Sequence, residues 1–389
     1  MTRPAERETK HRLFELALLF LRLGATAFGG PAAHIAFMED EIVGRRKWLS
    51  REEFLDLLGA TNFIPGPNST EMAIHIGYRR AGFLGLAVAG ACFIVPAAIL
   101  VGAIAWAYVR FGSLPQAEAL LYGVKPVVIA IVAQALWRLG RTALKTSVLA
   151  AIAALAVALQ VVGVHELIVL FGAGLAAAAL AGAVGRRRDL RSLLPAWLLM
   201  LAPAPASAGA AAAGAIGLGP LFLVFLKVGS VLFGSGYVLL AFLRADLVQR
   251  LGWLTEAQLL DATAVGQITP GPVFTTATFI GYVLAGPAGA LVATVGIFLP
   301  AFFFVAVSGP LVPRLRESAL AGAFLDGLNA ASLALMAVVT WQLGRAALVD
   351  LPALLLAAAS ATALIWGKVN SVWLVLAGAV IGILLAGAP

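Results

Sequence analysis

FLRLGATAFGG, residues 20–30, returns as FLKVGSVLFGS, residues 225–235, an offset of 205. IPGPNST (residues 64–70) returns as TPGPVFT (residues 269–275) at the same offset. IGY at residues 76–78 matches IGY at 280–282, so one residue has dropped out. The new offset of 204 then holds: Pro96 matches Pro300, and Trp137, Leu139, Gly140 and Arg141 match Trp341, Leu343, Gly344 and Arg345. A solenoid repeats every few tens of residues. In an apolar chain, a period this long marks a transporter built from two repeated halves.

Composition agrees. Of 389 residues 61% are hydrophobic and 12% charged, about half the charge of a soluble domain. Charge-free runs at 81–109, 146–164, 167–185, 192–226 and 262–313 reach the roughly 20 residues that span a bilayer. The chain is expected to be an all-α polytopic membrane protein. Its net charge of +8 does not point to nucleic acid. Arg45, Arg46 and Lys47, then Arg79 and Arg80, Arg138, Arg141 and Lys145, and Arg186, Arg187, Arg188 and Arg191 sit beside apolar runs, as cytoplasmic loops do. No nucleic-acid-binding motif accompanies them. The single cysteine, Cys92, reads as a small apolar filler. The N-terminus mixes acids with bases and does not resemble a cleaved signal peptide.

Matched loops alternate in charge. Arg45, Arg46, Lys47 and Arg51 face only Arg250 in the second half, and Arg79 and Arg80 have no basic counterpart. The bias reverses where Arg314 and Arg316 match a loop near residues 112–116, then reverses again where Arg138, Arg141 and Lys145 outnumber Arg345. By the positive-inside rule the halves insert upside down to each other. The expected fold is therefore two inverted-topology repeats. The divisions are an N-terminal tail at 1–12, a first repeat at 13–190, a linking segment at 191–217 and a second repeat at 218–389.

Thirteen residues separate Pro272 from Gly286, about 20 Å as helix and short of a hydrocarbon core of roughly 30 Å. Each half is thus read as two broken or re-entrant helix hairpins followed by four full spans, nine to thirteen spans in all. The tips fall at Phe28-Gly29-Gly30-Pro31 and Pro65-Gly66-Pro67, then at Phe233-Gly234-Ser235-Gly236 and Pro270-Gly271-Pro272. Between hairpins, Ser50 with Glu53 and Thr255 with Gln258 are capping boxes opening short helices. Trp48 and Trp253 before them suit the headgroup region.

Backbone that breaks at membrane depth is tolerated only inside protein or against a water-filled cavity. Pro31, Pro67 and Pro272 suit fresh helix N-termini, whose amides and dipole attract anions. Asn68, Ser69, Thr70, Thr275 and Thr276 would add neutral donors. The plain alternative is a kink with satisfied hydroxyls. Arg22 and Lys227, matched before each tip, are intramembrane cations and so functional candidates, or else snorkel to an interface. Lys125, matched by Asn329, is a weaker candidate. Glu71 and His75 lie four apart on one helical face and could couple a proton. Glu39, Asp40 and Glu41 read as ordinary loop charges, and Asp56 and Asp261 as structural groups. No metal site or cofactor is expected, and no G-x-x-x-x-G-K-[ST] motif is present.

With FGGP, WLS and PGPN in one half and FGSG, WLT and TPGP in the other, the chain resembles the chromate ion transporter family, in its long members with two such halves. The resemblance implies a multi-pass carrier of the inner (cytoplasmic) membrane that exports chromate and confers chromate resistance. It also implies that chromate is handled as a sulfate analogue and driven by the membrane gradient. Carried over by position, the motif residues are Phe28, Gly29, Gly30, Pro31, Pro65, Gly66, Pro67, Asn68, Gly234, Pro270, Gly271 and Pro272; Ser235 adjoins them. Where the first tip has Asn68 and Ser69 the second has Val273 and Phe274, so unequal binding is expected. The expected partners are a chromate- or sulfate-like oxyanion, a coupling proton, the lipid bilayer and a possible second copy of the chain, with no nucleic acid. The alternatives are a sulfate or other anion carrier or channel of the same fold, and an intramembrane enzyme using Glu71 and His75. The inverted repeat weighs against the enzyme, whose single site gains little from inversion.

Overall fold

The computed structural model describes residues 4–28, 30–112, 114–184, 216–233, 238–308, 318–367 and 369–386. Helices of the first half are α1 (Pro4–Thr26), α2 (Gly30–Glu39), α3 (Arg51–Thr61), α4 (Asn68–Phe111), α5 (Pro115–Ala143), α6 (Ser147–Val161) and α7 (Glu166–Val184). The second half answers in the same order. It has α8 (Leu218–Val231), α9 (Leu239–Leu243), α10 (Glu256–Ile268), α11 (Thr276–Ser308), α12 (Ala319–Ala347), α13 (Leu351–Ile365) and α14 (Ser371–Ala386). Among the described residues there are no strands, as an all-α polytopic membrane protein requires.

The repeat is kept in small backbone details. A π-helical turn follows α2 at Asp40–Arg45 and α9 at Arg244–Arg250. Both capping boxes form, Ser50 with Glu53 and Thr255 with Gln258. Trp48, expected in the headgroup region, lies under the guanidiniums of Arg46 and Arg80 at 5.1 and 4.7 Å from the ring centroid.

α4 is not one rod. Ala81 (φ −148°, ψ 29°) and Gly82 (φ 61°, ψ −148°) break it, and Ala285 (φ −147°, ψ 27°) and Gly286 (φ 63°, ψ −155°) break α11 the same way. At each break the chain doubles back. Gly77 packs against Gly85 and Ala89, and Gly281 against Gly289 and Ala293. In a straight helix Gly77 and Gly85 would stand about 12 Å apart. Thr278 and Thr294, sixteen residues apart, share a 2.7 Å hydrogen bond. Residues 68–80 are therefore the short returning arm of the second hairpin, and the long arm after Gly82 is the first crossing helix. Arg80 reaches Glu15 at 2.9 Å, which joins the bases of both hairpins at one end, with the tips at the other.

Among the described residues four helices are long and apolar enough to cross a membrane: α4, α5, α11 (with the turn before it) and α12. Of the four crossing segments expected per half, the last two are shorter. α6 and α13 have 15 residues each, α7 has 19 and α14 has 16, so they rise about 22–28 Å. Of the linking segment at 191–217, residues 191–215 lie outside the described residues.

The helices sort into two bundles. α1, α4, α8 and α11 pack on one another and carry the hairpins; α5, α6, α7, α12, α13 and α14 form a scaffold. Glycines permit the closest crossings, as small residues do in membranes. Gly24 meets the backbone at Phe93, its mate Gly229 meets Ile297, and Gly123 meets Gly378 and Gly382.

Candidate functional site

The described parts of the tips converge, and each half completes the other. The Gly66 amide donates to the Leu232 carbonyl at 2.8 Å, and the Gly271 amide donates to the Ala27 carbonyl at 3.0 Å. Gly66 matches Gly271 and Ala27 matches Leu232 at the repeat offset, so the two bonds are one contact made twice about a pseudo-twofold axis. Both glycines hold positive φ, 140° and 84°. A Cβ on Gly66 would strike the Glu71 carboxylate, and one on Gly271 would press Ala97 and the Gly24 carbonyl. Pro65, Gly66, Pro67, Pro270, Gly271 and Pro272 are all buried.

Helices restart at the tips. α2 begins at Gly30 with Pro31 in its first turn, and α4 begins at Asn68 behind Pro67. A short 3-10 turn, Val273–Thr275, follows Pro272 and leads into α11. First-turn amides lack intrahelical acceptors by geometry, and their dipoles favour anions. Phe28 is partly exposed beside its tip. Gly29, Gly234 and Ser235 lie outside the described residues.

His34 belongs to this site, although nothing in the sequence reading singled it out. Its Nε2 lies 3.0 Å from the Ala27 carbonyl and its Nδ1 lies 3.3 Å from Ser69 Oγ. A carbonyl only accepts, so Nε2 carries the proton and Ser69 donates to Nδ1. One buried imidazole thus ties the first tip to the second, on the same carbonyl that takes the bond from the opposite half. The repeat places Leu239 at the matched position, so His34 is peculiar to one half.

The polar side chains differ in what they can still do. The Thr275 hydroxyl donates to the Pro272 carbonyl and the Thr276 hydroxyl to Val273, both at 2.8 Å. Asn68 donates to Asn62 at 3.2 Å. Thr70 Oγ1, both oxygens of Glu71 and His75 Nε2 are buried and have no hydrogen-bond partner among the described residues. They lie within six residues of one arm. Buried polar atoms are normally paired, so this arm presents a set of groups able to bind a ligand or a proton.

Arg22 and Lys227 are placed differently from a free cation pair. Arg22 bonds Glu41 at 2.5 Å, with Arg45 and Arg46 at 3.2 and 3.3 Å on the same carboxylate. Lys227 bonds Asp246 at 2.7 Å and comes within 3.9 Å of Glu166, and Arg250 reaches both carboxylates. Glu41, read in sequence as a loop charge, is buried. The signal lay in the repeat, since Glu41 and Asp246 are acidic at the offset that relates Arg22 to Lys227. Lys125 lies 3.4 Å from Asp261, which also accepts from the Tyr108 hydroxyl at 2.9 Å.

The chromate transporter family profile matches residues 14–183 and 219–383, one segment in each half. A probable chromate transport protein from Synechococcus elongatus is 33% identical over 354 residues, covering 89% of this chain and 88% of its own. A chromate transport protein from Cupriavidus metallidurans is 32% identical, covering 95% and 92%. One from Pseudomonas aeruginosa is 33% identical, covering 95% and 91%. No solved structure matches the chain.

Proposed function

The chain belongs to the chromate transporter family, and on that premise we propose that it is a secondary carrier exporting chromate, or a sulfate-like oxyanion, across the cytoplasmic membrane and thereby conferring chromate resistance. The observation that carries this is the pair of backbone bonds by which broken-helix tips of two inverted halves meet. Transporters place substrate at such a meeting of discontinuous helices near the midplane. A tetrahedral dianion accepts hydrogen bonds from every side. First-turn amides beside Gly30, Asn68 and Val273, that of Ser69 among them, and the Thr70 hydroxyl are the donors assigned to it; the Ser69 hydroxyl is already given to His34. Arg22 and Lys227, held by Glu41 and Asp246, are assigned to the approach on either side. Thr275, Thr276 and the Pro270, Gly271, Pro272 turn shape the opposite wall.

Glu71 gives the coupling. A buried carboxylate beside a bound dianion repels it, so anion binding favours the carboxylate's protonated form and the two ligands are linked. His75, one turn along, is the relay to Glu71. The carrier reading is preferred to an intramembrane enzyme because the relatives are named transport proteins. The test is uptake of radiolabelled chromate into proteoliposomes under an imposed proton gradient, with excess sulfate as competitor and Glu71→Gln alongside. Gradient-driven uptake that loses its pH dependence in Glu71→Gln is expected. A wild-type protein that moves neither anion would end the proposal.

A further inference from the structure

The two halves have the same elements but not the same surroundings. The second-half hairpins are docked on the scaffold: α10 packs on α5, α12 and α14, and α9 packs on α12. The seam carries several polar links besides that of Lys227 to Glu166. They include Lys125 to Asp261 at 3.4 Å, Arg250 to Glu166 at 3.0 Å, Arg244 to Gln342, and Ser332 to the Phe233 carbonyl at 3.3 Å. It encloses a void of only about 10 Å³ among Val132, Leu240, Leu243 and Gln267. In the first half, α3 packs chiefly on α4.

Burial at matched positions records the difference. Phe242 is 0% exposed and its mate Phe37 47%. Leu260 is 1% exposed and Leu55 49%; Phe233 is 5% and Phe28 39%. The open face is not a lipid face, because Asp56 and Asn62 are exposed on it and polar groups do not face hydrocarbon. Their mates Asp261 and Gln267 are buried in the seam.

We infer that this is one of two exchangeable states. In the other, the first-half hairpins dock on the scaffold as the second-half hairpins do here, and the second-half seam opens. Applying the repeat offset to the present links names the contacts to be formed: Asp56 with Asn329, and Glu39 with Arg138. The second pair carries its own support. Arg244 now bonds Glu256 and reaches Gln342, while Glu39 bonds Arg51 at 3.6 Å. The charges at these matched positions are reversed between halves, and at the position of Gln342 the first half offers a cation, Arg138. Glu39 and Arg138 are thus complementary across a seam that is not yet closed. The bases of the open hairpins carry Arg45, Arg46, Lys47 and Arg51, the cytoplasmic mark. The state seen is therefore open towards the cytoplasm. A ligand that prefers one state shifts the balance between them, and the site at the tips lies between the two seams.

The inference rests on the carrier reading, and its test separates the two. In a Cys92→Ser background, the pairs Lys125→Cys with Asp261→Cys and Asp56→Cys with Asn329→Cys are bridged in proteoliposomes by a short bis-methanethiosulfonate reagent, which spans the length of the side chains replaced. Each is expected to give an intrachain cross-link that stops chromate uptake until reduced. Locking the second pair should slow labelling of Phe37→Cys by a water-soluble thiol reagent at least tenfold; locking the first should not. Should a cysteine pair fail to fold, Glu39→Arg and Arg138→Glu are each expected to slow uptake, and the double reversal to restore it. No intrachain link at Asp56 and Asn329, or one that migrates as a cross-linked dimer, overturns the inference while uptake by Cys92→Ser leaves the carrier reading standing. Absent uptake before bridging, with both cross-links formed afterwards, overturns the carrier reading alone.

Discussion

Replacing Gly82 by alanine should destabilise the protein, and the sign of that change is informative. Gly82 sits at φ 61°, ψ −148°, and a methyl group on its Cα would meet no atom within 4 Å, so crowding plays no part. The cost comes from the backbone alone. Residues other than glycine held in such a region cost about 1–3 kcal/mol, which corresponds to roughly a 5- to 150-fold loss in the folding equilibrium. Were residues 68–111 one continuous helix, the same change would stabilise by about 0.5–1 kcal/mol, because alanine is the better helix former. Gly286→Ala, at nearly the same dihedral angles, should behave as Gly82→Ala does. Gly322→Ala within α12, where a Cβ meets nothing within 4 Å, is the control with the opposite expected sign. Reversible denaturant unfolding in detergent, followed by circular dichroism, measures all three. A Gly82→Ala protein as stable as the parent would refute the reversal and with it the short returning arm that bears Glu71.

Three further outcomes are expected. His34→Leu should weaken chromate binding and cost about 1–3 kcal/mol of stability, since Ser69 and the Ala27 carbonyl each lose a buried partner; ligand-dependent unfolding reads both effects. Thr70→Ala should raise the KM for uptake, whereas Thr275→Ala, whose hydroxyl is already given to the Pro272 carbonyl, should leave it nearly unchanged. Ser50→Ala should cost about 1 kcal/mol through the lost cap, and the Glu53 side of that box should titrate. The Ser50 amide and hydroxyl hold the Glu53 carboxyl below its ordinary value. Its contribution is therefore present above the unfolded value and lost as pH falls through the lower, folded one. The matched box uses Gln258 and should show no such pH dependence, so Glu53→Gln should flatten the acid limb of a stability-against-pH curve.

Much of the architecture was legible because it was stated twice. The repeat located the tips, and Ser-x-x-Glu and Thr-x-x-Gln opened α3 and α10 where the capping rule put them. That an arm ends at Gly286 was legible from the thirteen residues after Pro272, but the tight doubling back there and at Gly82 was not, since Ala-Gly within an apolar run is compatible with an uninterrupted helix. The bonds that join the tips run from amide to carbonyl and leave no mark on side-chain identity. His34 was hidden for a related reason: its partners, Ala27 and Ser69, are brought to it by two separate chain breaks. Arg22 and Lys227 were found as cations, but their carboxylates lie nineteen residues on, beyond any local helical spacing. Comparing Glu41 with Asp246 would have supplied them.

Gly66 gives its proton to the second half and Gly271 gives its own to the first, so neither half can finish its own tips. A half-length chain alone would bury an amide and a carbonyl at mid-membrane without partners, at several kcal/mol each. Two half-length chains could meet that need only by inserting in opposite senses and pairing. Joining them in one polypeptide fixes the stoichiometry at one of each orientation, whatever the expression level. It also releases the halves from having to be identical. Glu71, His75 and His34 can then reside on one side of the axis while Thr276 and Leu239 occupy the mirrored places, a division of labour closed to a symmetric pair.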